Sequence, residues 1–226
     1  MEEEEQEKLK KLFDRLSEEE NLLWKKQAIQ VLTPICSATN MIPCAEDLGV
    51  NLACMPEVLK QLSILSLKVV RWNRVWEKDG QPYVPFSEYP ELSVTTTSVH
   101  DSSTLRQWWN TEKQSVEEYL KMSDAQEKPS KDEEFSEATA QFCLKTSALT
   151  KSGWFINPLQ DYLFLQQKYF MQNPDEERIN VPGSVNDFNW TYRLPVSVEE
   201  LAKDKALIEK IKEIAGIHDA EVSLGE

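Results

Sequence analysis

From residue 41 onward, short apolar or β-branched runs alternate with helical segments, and no other feature limits the fold as tightly. The runs fall at 41–46, 67–72, 93–100 and 153–157. Between and after them apolar residues recur at helical spacing: Val58, Leu59, Leu62 and Leu65 behind Pro56, then 103–122, 135–149 and 159–170. Alternating β and α elements with short apolar strands imply a parallel sheet. Strands buried on both faces read as continuous apolar runs, not as strict alternation. In such α/β folds the chemistry gathers at the C-terminal ends of the strands, which would put Glu46, Trp72, Asp101 and Asp161 at one rim.

The remaining segments are assigned by the same signals. Leu9, Leu12, Phe13 and Leu16 predict a first helix, and Ser17 with Glu20 forms a capping-box pattern that starts a second one, ended by Pro34. The stretch 73–92 reads as a loop, 173–196 as irregular, and 197–215 as two short helices. No internal repeat is visible.

Composition excludes several classes of function. The 226 residues carry 25 Lys and Arg against 39 Asp and Glu, a net charge of −14. No basic stripe exists for phosphate, which argues against nucleic acid and against an anionic membrane surface. No apolar run reaches the ~20 residues that span a bilayer, and the first residues lack the apolar core of a signal peptide. A soluble, cytosolic protein is expected. Most of the charge sits in two stretches, 1–20 and 112–138, each with nine acids and four bases; such runs are solvated faces. Cys36, Cys44, Cys54 and Cys143 form no CxxC pair, and His100 and His218 add no metal spacing, so neither a metal site, a cofactor nor a disulfide framework is expected. The cysteines read as buried, reduced thiols.

Two carboxylates end two strands, Glu46 and Asp101. Such a pair suits glycosidic bond cleavage, where one group protonates the leaving oxygen and others stabilise charge at the anomeric carbon. Each also has a structural reading, because an acid after a strand often caps the next helix, and Asp101 before Ser-Ser-Thr could do so. His100-Asp101-Ser102 is not a Ser/His/Asp triad, since neighbours on a strand point to opposite faces. No Gly-x-Ser-x-Gly elbow, GxGxxG or phosphate loop occurs.

Ala45-Glu-Asp-Leu-Gly49, His100-Asp-Ser-Ser-Thr-Leu-Arg-Gln-Trp-Trp109, Arg178-Ile-Asn-Val-Pro-Gly183 and Asn189-Trp190 resemble the 4-α-glucanotransferases, the amylomaltase or disproportionating-enzyme family. Thr-Thr-Ser-Val-His-Asp-Ser-Ser-Thr and Phe-Ile-Asn-Pro-Leu-Gln-Asp are most similar to the plant cytosolic branch. The resemblance runs from about Glu20 to Leu201, and four motifs in order make it specific.

The resemblance implies a retaining α-glucanotransferase on a (β/α)8 TIM barrel that moves α-1,4-glucan between sugars. It makes Glu46 the general acid/base and Asp101 the stabiliser of the oxocarbenium-like transition state. His100 would bond a sugar hydroxyl, and Asp47 and Asn180 would contact substrate. Trp72 would lay its indole on a sugar face; core packing is the other reading of that residue. The partner is an α-1,4-glucan or malto-oligosaccharide.

One element of the family is absent. Its nucleophile is an aspartate two residues after an arginine, and none of the six arginines here begins an Arg-x-Asp. The matched strands would be the fifth to eighth of the barrel, so the chain is expected to be its C-terminal half with added N-terminal helices. Its parts would be an acidic helical extension (1–19), a partial barrel (20–201) and a C-terminal helix and tail (202–226). A closed barrel needs ~250 residues, and retention needs two carboxyls ~5–5.5 Å apart. The missing N-terminal half, or a second copy of the chain, would complete it. The other reading is a non-catalytic half-barrel that serves as a glucan-binding or interaction module.

Overall fold

The computed structural model describes residues 3–46 and 52–223, which fall into two compact units divided between Leu67 and Lys68. The first unit opens with one long helix, α1 (Glu3–Ser37), where the sequence suggested two. Ser17 and Glu20 are compatible with a helix interior as well as with its start, and nothing between them breaks the backbone. Pro34 lies inside the last turn, where its missing N–H costs a terminal bond without ending the element. A strand, β1 (Cys44–Ala45), and a short helix, α2 (Met55–Gln61) with Pro56 in its first turn, follow. Lys25 of α1 is ion-paired to Glu57 of α2. β1 pairs in parallel with the start of β2 (Leu65–Val69), Cys44 opposite Leu65.

In the second unit β3 (Ser93–Thr96) pairs in parallel with β4 (Trp154–Phe155), Val94 opposite Trp154. The expected parallel pairing is therefore present, in strands shorter than their apolar runs. β3 is buried along its whole length, but its inward groups are hydroxyls. Thr95 Oγ1 lies 2.7 Å from Ser152 Oγ and 3.0 Å from Thr150 Oγ1, and Ser93 Oγ lies 2.6 Å from Ser152 Oγ. The network satisfies groups that would otherwise be costly to bury. His218 closes it, Nε2 lying 2.8 Å from the Ser152 carbonyl.

Around these strands pack α3 (Leu105–Thr111), α4 (Lys113–Met122), α5 (Glu137–Ala148), α6 (Leu159–Leu163), α7 (Val198–Leu201) and α8 (Lys205–Ser223). The segment 159–170, expected as one helix, breaks after α6 into a 3₁₀ turn, and the last helix is longer than its pattern suggested. Trp108, Trp109, Tyr119, Leu144, Leu163 and Ile214 centre the core. Tyr119 stands edge-on to Trp108 at 5.5 Å and to Tyr83 at 6.0 Å between ring centroids, the arrangement aromatic quadrupoles favour. Of the four free cysteines only Cys143 is buried, and burial raises its thiol pKa far above the usual value; Cys44 is exposed, contrary to expectation, because β1 shields its residues only in part. Among the described residues no helix is long and apolar enough to cross a membrane, and no group of three His, Cys, Asp or Glu could hold a metal ion.

Candidate active site

The segment after β3 is fastened at both ends, and this fixes where His100 and Asp101 project. At its start, Asn157 Oδ1 accepts the Thr97 N–H at 2.9 Å, and the Asn157 amide donates to the Tyr162 hydroxyl at 3.0 Å. Asp161 Oδ2 accepts from Thr97 Oγ1 at 2.5 Å and Ser98 Oγ at 2.7 Å. In the middle, the Ser102 hydroxyl is spent on the turn itself, accepting from Val99 N at 3.1 Å and donating to Val99 O at 2.9 Å. That removes Ser102 from any nucleophilic role. At its end, Arg71 Nη1 donates to the carbonyl and hydroxyl of Ser103 at 2.8 and 2.7 Å.

Helix α3 is then capped by Thr104, whose side chain accepts from Gln107 N while the Gln107 side chain returns to Thr104 N. The cap that Asp101 could have supplied is thus taken by Thr104, and Asp101 is left free for other partners. The signal was present as Thr104-x-x-Gln107, a capping box one turn further on.

Those partners come from far along the chain. Asn180 Nδ2 donates to Asp101 Oδ1 at 2.6 Å across 79 residues, and His100 Nε2 lies 3.2 Å from Asp101 Oδ2. The Asp101 side chain remains 40% exposed and that of His100 52%, so both can still meet a ligand. Asn180 sits in a loop folded upon itself: Val181 N donates to Asn189 Oδ1, Trp190 N to Ile179 O, and Arg178 Nε to Asn180 O. Gly183, with φ of +77°, makes a turn in it that a side chain would strain.

The loop is tied to α3 by an ion pair. Arg106 Nη1 meets Glu177 Oε1 at 2.7 Å with both side chains mostly or wholly buried, and the same oxygen accepts Met171 N at 3.0 Å. Burial pushes the Glu177 carboxyl above its usual pKa, and Arg106 works against that shift. Gln107 adds a bond to Asp175 at 2.9 Å.

Behind the site lie two further buried charged residues, Asp161 and Arg71. Asp161 is fully buried, not at the rim where its strand-end position suggested; α6 turns it inward beneath Thr97 and Ser98. Desolvation raises its pKa, opposed by those two hydroxyls and by the charge of Arg71. Arg71 is likewise buried, its pKa lowered by desolvation and supported by Asp161, and its Nε and Nη2 have no hydrogen-bond partner among the described residues.

Glu46 follows β1 directly and is exposed. It does not cap α2, whose N-cap is Cys54 without a side-chain bond. Asp47 lies outside the described residues. Trp72 ends a 3₁₀ turn after β2, half-buried and outside the hydrogen-bonded cluster. His100, Asp101 and Asn180 therefore form one partly exposed polar constellation. Sequence reasoning passed over Arg71, Asn157 and Glu177, which hold that constellation in place and carry no motif of their own.

Comparison with known proteins bears on the chain as a whole. A family model described as 4-alpha-glucanotransferase matches residues 2–198. The chain belongs to the 4-alpha-glucanotransferase family. Curated relatives include the 4-alpha-glucanotransferase of Chlamydia muridarum, 36% identical over 80% of this chain and 33% of that protein. Another is 4-alpha-glucanotransferase DPE2 of Oryza sativa subsp. japonica, 32% identical over 85% of this chain and 20% of that protein. The chain thus spans about a third or less of the length of these relatives. Among solved structures, the amylomaltase from Streptococcus agalactiae in complex with acarbose superposes with a TM-score of 0.55 at 21% identity, over 78% of this chain and 31% of that one. The amylomaltase from Corynebacterium glutamicum gives 0.56 at 17% identity, over 77% of this chain and 28% of that one. These likenesses show the α/β fold with its parallel sheet.

Proposed function

We propose that this member of the 4-alpha-glucanotransferase family is the C-terminal half of a retaining enzyme, strands five to eight of its barrel. It would transfer α-1,4-glucan segments between malto-oligosaccharides. The observation that carries this reading is Asp101 held at once by Asn180 at 2.6 Å and His100 at 3.2 Å. A carboxylate braced on both oxygens keeps one orientation, as stabilising positive charge at an anomeric carbon demands. Glu46 is the acid/base, protonating the departing glycosidic oxygen and then activating the acceptor hydroxyl. His100, Asn180, Asp47 and Trp72 bind substrate.

Residues 20–201 make up the partial barrel, with the acidic extension 1–19 before it and 202–226 after. The chain has no Arg-x-Asp, so the covalent glycosyl intermediate forms on an aspartate from the complementary half-barrel, and this chain alone is inactive. Four free cysteines suit the cytoplasm, a reducing compartment.

The test is reconstitution. A half-barrel bearing Arg-x-Asp, taken from a family member and mixed with this chain, should convert maltotriose into glucose and longer maltodextrins. Glu46→Gln should abolish that conversion, and Asp101→Asn should reduce it about 10²-fold or more. No transfer by the reconstituted pair, or an unaltered rate in Glu46→Gln, would refute the assignment.

A further inference from the structure

Trp190 is the least expected residue near the site. Tryptophan is usually well buried, yet this indole is 65% exposed. Its backbone is left-handed, φ +69°, a conformation that bulky L residues rarely adopt. The loop imposes it, because Trp190 N–H reaches back to the Ile179 carbonyl at 2.8 Å and so closes the segment that carries Asn180. The ring ends 5.2 Å from the imidazole of His100, tilted by 42°, and His100 in turn touches Asp101.

Packing does not account for this arrangement, since Trp190 and His100 both stay largely open to solvent. A residue that costs backbone strain and buries little of its own surface is kept for something outside the protein.

We infer that Trp190 is an aromatic platform on which a glucose ring of the glucan stacks, in the subsite next to the sugar held by His100, Asp101 and Asn180. The inference rests on the glucan reading above and adds a binding residue to it. The apolar face of an α-1,4-linked glucose, with its axial C–H bonds, fits an open indole. The hydroxyls at the ring edge then point towards the His100–Asp101–Asn180 cluster.

The experiment is calorimetric titration of the full 226-residue chain with maltoheptaose, using wild type, Trp190→Phe, Trp190→Ala and Trp190→Gly. Wild type should bind. Trp190→Phe, which keeps a ring, should stay within about threefold in Kd, and Trp190→Ala should weaken binding about 3- to 10-fold. Trp190→Gly should lose affinity like Trp190→Ala while melting no lower than wild type, because glycine relieves the left-handed backbone. If wild type binds and Trp190→Ala binds equally well, the platform is wrong and the glucan reading stands. If wild type shows no binding at millimolar maltoheptaose, the platform fails, and the glucan reading is decided separately by transfer in the reconstituted pair. If Trp190→Gly melts several degrees lower but keeps its affinity, Trp190 is a packing residue and the inference is overturned.

Discussion

Replacing Asp161 by alanine removes the acceptor beneath the Asp101 turn, and the structure sets the size of the effect. The Ser98 hydroxyl loses its buried acceptor while that of Thr97 keeps Asn157 Oδ1 at 2.9 Å, and both residues are almost fully enclosed. Each unsatisfied group costs about 1–3 kcal/mol. Arg71 also loses the carboxylate that most strongly opposes its desolvation, and because the two are not in ion-pair contact this loss is smaller than the about 3–5 kcal/mol of a contacting buried pair. These contributions overlap, so about 2–4 kcal/mol is expected in total. Against the roughly 5–15 kcal/mol that holds a typical domain together, that is a substantial share. Asp161→Asn keeps shape and one acceptor and should cost about 1–2 kcal/mol.

The assay is urea unfolding followed by the emission of Trp108 and Trp109, both buried in the same unit as Asp161. With a slope of about 2.5 kcal/mol/M, Asp161→Ala should lower the midpoint by about 0.8–1.6 M. The pH dependence supplies a second check. Burial raises the Asp161 pKa in the folded state, so the unfolded chain releases this proton first as pH rises. The stability associated with this proton is whole below about pH 4 and declines as pH climbs through the raised folded value. The deficit of Asp161→Asn relative to wild type should therefore be largest near pH 4 and shrink towards pH 7. A midpoint for Asp161→Ala within about 0.2 M of wild type, an effect below about 0.5 kcal/mol, would show that the turn does not depend on this carboxylate.

Two further outcomes follow from other buried or bridged charges. Arg106→Ala should cost about 3 kcal/mol and speed tryptic cleavage at Arg178, because it strands Glu177 in the interior; the double variant Arg106→Met/Glu177→Leu should recover most of the loss in urea, and simple additivity of the two single changes would refute the pairing. Asp204 caps α8 through Leu207 N, and Lys168 with Tyr169 holds its carboxyl well below the usual range. That stabilisation is complete above about pH 4 and disappears as pH falls through the lowered folded value. The Tm difference between wild type and Asp204→Asn should accordingly be present at pH 6 and narrow steadily in acid; a difference that stays constant with pH would count against it.

Local chemistry made much of the architecture readable. Pro56 marks the start of α2, the hydroxyl-rich run at Ser93 predicts β3, and the apolar spacing of 135–149 predicts α5, all of which the structure contains. These elements depend on backbone preferences and on which side of a short segment is apolar, information confined to neighbouring residues. Capping was harder to read, since Asp101 and Thr104 are both good N-caps and Ser17 imitates one inside α1. The choice between them is made by hydrogen bonds formed only when the rest of the unit is in place.

By itself the sequence determined the α/β alternation, the acidic surface and, through four ordered motifs, membership of a glucanotransferase family. It also singled out His100, Asp101 and Asn180. Only the tertiary structure decided that Asn180 braces Asp101, that Asp161 lies buried beneath the turn instead of at the rim, and that Trp190 stands open beside His100. The physical reason is separation along the chain. A hydrogen bond across 79 residues, or a carboxylate turned inward by a five-residue helix, has no local pattern, because its energy exists only once the core has excluded water from both partners.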